Sequence, residues 1–486
     1  MRRLLPLLIA VALTGCNRAA DDGVIDVAFI GQGDDIFASD LRLDMAGQAA
    51  RAAQRQGLVR FNPAGEIVPG IAERWIVTDD GRSYIFRITE FDLPDGNRLT
   101  AQAVAASLKQ TLARLDGTSL GLDLAKVEDI RAMTGRVIEI RLSSAMPGFL
   151  HLVAQPELGV TIDNAPSGPM TGLKQREDLL LTALAPELRG LPAQPEWDAE
   201  VRLVKLSSLP FEDAIGGFSR GQYDVVLGGR VDSLPLAATG PLSRGTVRLD
   251  PAIGLFGFDV VRPSGFLEGA TNREALAMAI DRSAIAGQLG IGGWTPTTRI
   301  VPTNLPGATS VVAERWADQD IDQRRAVAAS RVSRWRAANG AEPRVTVDLP
   351  PGPGSDILFQ SLARDFAAIG VQLVRAGEDA SADLVLRDRT ARFAGARWFI
   401  NQFHCSIAQR LCSDAADNFL ELALGAGSPA EEAGFLGQAE NALLEQNLFI
   451  PLGAPIRWSQ LRANVDGFAE NIWAVHPLFP LSRAPI

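Results

Sequence analysis

The chain has 486 residues, too many for one ordinary hydrophobic core, so two or three domains are expected. Hydrophobic residues at 47% and charged residues at 21% describe a globular protein and exclude a disordered or membrane-filling one. A formal charge of −10 argues against a nucleic-acid partner, whose phosphates would be repelled, and offers no basic surface to a membrane.

The first residues, MRRLLPLLIAVALTGC, carry Arg2 and Arg3 and then an apolar run over residues 4–13. That run is about half of the roughly 20 residues a membrane-spanning helix needs. It reads as a secretion signal over residues 1–15, to be left out of fold reasoning. Its end, Leu13-Thr14-Gly15-Cys16, resembles the lipobox of bacterial lipoproteins, which implies lipidation of Cys16. The alternative is an ordinary signal peptide with a chance cysteine. Residues 16–23 then form a polar tether, and the expectation is an exported protein held at a membrane of the cell envelope by lipid alone.

The mature chain opens with an apolar strand over residues 24–30, followed by a helical patch near residues 46–53. NPAG and DDG are turn signals, and SYIFRI alternates as a strand. A Pro-Asp-Gly turn follows, then Thr100 as the N-cap of a helix through Leu112. Thr271 to Glu274 has the spacing of a capping box for one helix, REALAMAIDRSAIAGQL. RVTVDLP is a strand. Ser355 opens a helix with Leu358, Leu362, Phe366 and Ile369 on one face and Gly370 as its C-cap, and VQLVRA and ADLVLRD return as strands. Strand, helix and strand in about thirty residues make a parallel crossover unit, so the fold class is α/β.

No G-x-S-x-G elbow and no phosphate-cradling G-x-x-x-x-G-K-[ST] loop occurs, and PPGPGSD suits a loop before a helix better than a nucleophile turn. GAGSPAEEAG lacks a preceding strand and so carries little weight as a dinucleotide loop. The expectation is a non-enzyme without a cofactor. In an oxidising compartment the remaining pair, Cys405 and Cys412, reads as a disulfide, with free thiols or a metal site as alternatives. His404 adjoins that pair, but His151 and His476 lie far off and no metal-ligand spacing is present, so no metal is expected.

Several segments together resemble the extracellular solute-binding proteins of family 5, the peptide- and nickel-type receptors of ABC importers. Gly57, Leu58, Pro69, Ala72, Glu73, Trp75, Asp79, Asp80, Gly81, Tyr84 and Phe86 match the family's N-lobe hairpin signature. LPDGNRLTAQAV, the run ending AMAIDRSAI and the ending IPLGAPIRWSQLRANVDGF follow in the family's order. The resemblance implies a two-lobed fold of the periplasmic-binding-protein type (type II) with an extra small subdomain in the N-lobe. It divides the chain into an N-lobe over 24–254, with a hairpin-plus-helix subdomain at about 47–160, a C-lobe over 255–455 and a return segment over 456–486. Hinge strands are expected near residues 255–260 and 451–458. It also implies a monomer that closes on a peptide or peptide-like solute and delivers it to an ABC transporter permease.

In peptide-binding members a C-lobe Trp is followed three residues later by an Asp that pairs with the ligand's α-ammonium. Here Trp398 aligns with that Trp, and the position three further on is Asn401. Trp398, Asn401, Phe403 and His404 are therefore the expected ligand-facing residues, on a loop stiffened by Cys405 and Cys412. Asn carries no charge, which also leaves open a solute without an ammonium, such as an opine-like compound, an oligosaccharide or a metal chelate. An envelope interaction protein that has lost transport, and a lipoprotein hydrolase with a serine or acid pair beside His151, His404 or His476, are the remaining alternatives. For Trp398 the competing role is plain core packing, and for His404 a surface or hydrogen-bonded position.

Overall fold

A computed structural model describes residues 23–483 except 94–95, 163–164, 238–244, 304, 306–311, 378–380 and 409–410. The secretion signal, Cys16 and part of the Pro-Asp-Gly turn lie outside the described residues. The apolar run VIDVAFI is a strand, Val24–Ile30, in the middle of a seven-stranded sheet. It has parallel neighbours on both sides, Leu203–Leu209 and Val225–Gly229. A strand covered on both faces is expected to be apolar almost throughout. The hairpin Met170–Gln175 and Asp178–Ala183 extends one edge, and Arg457–Leu461 and Val247–Asp250 complete the other.

A second sheet of five strands has the order Gln372–Arg375, Arg344–Asp348, Leu384–Thr390, Gly254–Val260 and Phe449–Gly453. Arg344–Asp348 pairs in parallel with Gln372–Arg375, the crossover unit read from the sequence. Leu358, Leu362 and Phe366 are buried on its helix, Pro353–Ala367. That helix starts earlier than Ser355 and ends before Gly370, with Ala368 as C-cap. Among the described residues the chain passes between the two sheets at 250–254 and again at 453–457, next to the expected hinge strands. Gly254 opens the first crossing strand so close to its neighbour that an added Cβ would lie 2.0 Å from the Arg389 carbonyl oxygen.

Between the first helix, Met45–Gln54, and the strand at Met170 an antiparallel subdomain is inserted, with strands Ala72–Val77, Ser83–Ile88, Val137–Leu142 and Val127–Ala132 in that spatial order. Its alternation places Tyr84, Phe86 and Ile88 inward, where the helix Ala101–Arg114 covers them with Val104, Ala105 and Leu108. Thr100 caps that helix as expected, accepting from the Ala103 amide. The apolar core of this subdomain is continuous with the C-lobe helices through Phe149, Trp398, Phe399 and Leu436.

Two local expectations give way to tertiary contacts. The capping box does not form: Gly269 is the N-cap of Ala270–Ala279, and Glu274 instead holds Arg315 at 2.9 Å and Arg331 at 2.7 Å. The single long helix is broken after Ala279, because the Asp281 side chain caps a new helix, Arg282–Leu289, while its amide donates to Asp365 at 2.9 Å.

Candidate functional site

The helix Ala396–Asn401 carries Trp398 and Asn401, and Phe403 and His404 follow just after its end. Trp398 is 2% exposed, packs edge-on to Phe399 at 4.8 Å, and its indole Nε1 has no hydrogen-bond partner. Asn401 is equally buried, and its Nδ2 donates to Asp123 Oδ1 at 2.9 Å. Asp123 ends the short helix Ser119–Asp123 of the inserted subdomain, so this bond crosses from subdomain to C-lobe. Burial pushes the Asp123 carboxyl up to about 7, against the pull of Arg392, the Asn401 amide and Arg397. Phe403 is buried against Phe449 at 5.3 Å and beneath the Arg387 guanidinium at 4.7 Å. His404 is half-buried. None of the four lines the cavities described below.

Cys405 and Cys412 form a disulfide with their Cα atoms 5.2 Å apart, which selects that reading over free thiols. The His404 ring faces both Ser406 Oγ, at 2.8 Å, and Asp417 Oδ2, at 3.6 Å, through the same Nδ1 atom. A nucleophile relay needs the hydroxyl and the carboxylate on opposite ring nitrogens, so this trio is not arranged as one. His476 Nε2 lies 3.1 Å from Asp250 Oδ2 in a buried pair, and His151 packs against Trp473 at 4.8 Å.

Among the described residues, three of the cavities border the C-lobe where it meets the other parts of the molecule. One of about 310 Å³ is walled by both chain crossings, at Asp250 to Gly254 and Ala454 to Arg457, with Trp294 over it. A smaller one of about 130 Å³ touches Phe29 and Gly228 on neighbouring parallel strands, Thr390 at the end of a C-lobe strand, and Phe61 of the inserted subdomain. The carboxyl ends of strands where a sheet changes direction are the usual crevice for ligands in open α/β sheets. The third, about 470 Å³, opens between the inserted subdomain and the C-lobe and is walled by Gly148, Phe393, Arg397 and Leu436. Sequence reasoning reached its edge, since Arg397 adjoins Trp398, but missed its charged lining. Lys126, Arg299 and the helix that carries both Glu432 and Glu440 are three distant segments, and no local spacing links them.

Two lobes joined by two strand crossings, with cavities along the seams, define the class of protein: the periplasmic-binding-protein fold. The Haemophilus influenzae OppA structure, in complex with RPPGFSPFR, matches with a TM-score of 0.77 at 14% identity, over 96% of this chain and 99% of that one. The Escherichia coli murein tripeptide binding protein MppA also reaches 0.77, at 17% identity, over 95% of this chain and 98% of that one. In sequence, residues 66–174 match the family described as bacterial extracellular solute-binding proteins, family 5 Middle. The probable deoxycholate-binding periplasmic protein YgiS of E. coli strain K12 is 22% identical over 292 residues, 52% of this chain and 52% of that protein. The periplasmic murein peptide-binding protein MppA of the same strain is 24% identical over 296 residues, again 52% of each. These alignments thus span about half the length of each curated relative. Sequence and fold agree: residues 66–174 resemble the family 5 model, and the chain has the fold of the periplasmic binding proteins.

Proposed function

We propose that the chain is an exported receptor that closes two lobes on a peptide or peptide-like small molecule and hands it to an ABC importer, without chemical change to the solute. The observation that carries this reading is the pair of crossings at 250–254 and 453–457, a hinge with a cavity beside it. Bending at a few residues between packed sheets is the usual means of lobe closure. The relatives named for murein peptide and deoxycholate support a small organic solute.

In this reading the N-lobe comprises 24–254 with the return segment 456–486, the C-lobe comprises 255–455, and the protein is a monomer held to the envelope through Cys16. Trp398, Asn401, Phe403 and His404 then sit on the wall that parts from helix Ser119–Asp123 as the cleft opens, and the unpartnered Trp398 Nε1 is a donor for the solute. A non-peptide solute is the second reading. It is favoured by Asn401, which carries no charge for an ammonium and already spends its amide on Asp123. Small-angle scattering tests closure: stripping bound solute by mild unfolding and refolding should enlarge the radius of gyration, and returning the stripped fraction should reverse it. A radius unmoved by a solute that binds would sink lobe closure.

A further inference from the structure

The cavity between the inserted subdomain and the C-lobe has an unusual lining. Lys126, Arg299 and Arg397 bring three cations to its wall, and Glu432 and Glu440 bring two anions. Arg299 and Glu440 pair fully, at 2.6 Å and 3.2 Å, with both side chains almost wholly buried. Glu432 must serve two cations at once, Lys126 at 2.8 Å and Arg397 at 3.2 Å. One positive charge is therefore left without a counter-ion in the lining.

The hydrogen-bond count agrees with the charge count. Arg397 Nε and Arg299 Nη1 are buried donors with no acceptor, on side chains 5% and 1% exposed. The neighbouring acceptor without a donor, Asp123 Oδ2, belongs to a residue that does not line the cavity. Buried charge in excess is costly unless an opposite charge reaches it. The rest of the wall is apolar, with Met146, Val301, Phe393 and Leu436.

We propose that this cavity is a subsite for a carboxylate carried on an apolar body, with Arg397 as the group that selects the negative charge. The inference rests on the solute-receptor reading and narrows it to acidic solutes. It turns the expected polarity of the site around, because the only carboxylate facing helix Ala396–Asn401 from the inserted subdomain, among the bonds described, is already engaged by an amide rather than open to an ammonium.

Benzoate, benzamide and benzylamine at constant ionic strength separate the possibilities by calorimetric titration of the whole protein. Benzoate should bind at least tenfold more tightly than either other probe, the difference expected of one charge-assisted contact. Arg397→Gln should lose about that factor, whereas Glu432→Gln, which frees a cation, should tighten benzoate binding. If Arg397→Gln does not fold, the opposite sign of the Glu432→Gln effect still decides. Equal binding of the three probes, no benzoate binding, or weaker benzoate binding in Glu432→Gln would overturn the proposal. Native mass spectrometry of the same preparation distinguishes the two failures: a retained neutral or basic solute defeats only the acidic-solute inference, and a bare protein defeats the receptor reading as well.

Discussion

The C-lobe meets the rest of the molecule in two different ways. Against the inserted subdomain it uses charged and amide side chains: Lys126 to Glu432, Asn401 to Asp123, and Arg392 to Glu157 at 3.3 Å and Ser119 at 3.3 Å. Against the N-lobe it uses backbone at the PPGPGSD loop, with the Arg457–Asp388 ion pair at the strand crossing. The Gly354 amide donates to the Asp232 carbonyl at 2.8 Å, and a Cβ on Gly354 would fall 1.8 Å from the Val231 carbonyl oxygen. The prolines and glycines of PPGPGSD thus build a bare surface on which the other lobe can rest. A backbone contact is indifferent to the solute and suits a repeated closing movement. A charged seam is selective, and suits recognition.

The largest effect expected at either seam is at the second strand crossing. Arg457, on the return strand, is 3% exposed and holds Asp388 of the C-lobe at 2.7 Å. Asp388→Asn should leave that guanidinium buried without its anion and lower unfolding stability by about 3–5 kcal/mol in urea titrations. A loss under about 1 kcal/mol would show that water reaches Arg457 and that the crossing is not sealed.

Gly354→Ala sharpens the contrast. The added methyl should disfavour the closed arrangement by about 1–3 kcal/mol, enlarging the radius of gyration and weakening solute binding roughly five- to hundredfold. Urea stability should change little. Unaltered binding would mean that the Gly354 contact is not part of closure.

The disulfide comes next. Cys405→Ser with Cys412→Ser removes a short loop closure and should cost about 2 kcal/mol, read as a lower urea midpoint with an unchanged slope. Arg397 should be unaffected, because the bridge lies beyond the helix that carries it.

Asp123 gives the most diagnostic signal. Its carboxyl is raised from 3.8 to about 7 in the fold, so the folded state holds a proton that the unfolded state has released between those values. Its contribution is complete below pH 3.8 and is lost as the pH climbs to about 7, by at most about 1.4 kcal/mol per pH unit. Asp123→Asn should remove that part of the slope when stability is compared at pH 5 and pH 7. An identical slope in the variant would mean that the carboxyl is solvated and the subdomain seam loose.

The elements at the two seams were legible to different degrees. Strand Val24–Ile30, the Thr100 cap and the parallel unit at Arg344–Asp348 follow from periodicity and turn chemistry, which act over a few residues. Gly352 and Gly354, at the start of helix Pro353–Ala367, were visible as a loop, but their purpose depends on Val231 and Asp232, far back in the chain. The resemblance led to helix Ala396–Asn401 and to the missing acid at Asn401. It gave no sign that Asp123, 278 residues away, stands opposite. Thr271 and Glu274 show the converse, a sound local signal overridden because Arg315 and Arg331 offer Glu274 a better partner than a backbone amide. The cavity lining was illegible for the same reason, since Arg299 and Glu440 are 141 positions apart.

The most direct test of a solute receptor is native mass spectrometry of the full-length protein purified from its own host without dialysis. A discrete added mass that disappears on gentle unfolding, and that ionises as an acid once released, is the expected result. Protein at its bare mass from every growth condition, with no small molecule released on unfolding, would contradict it.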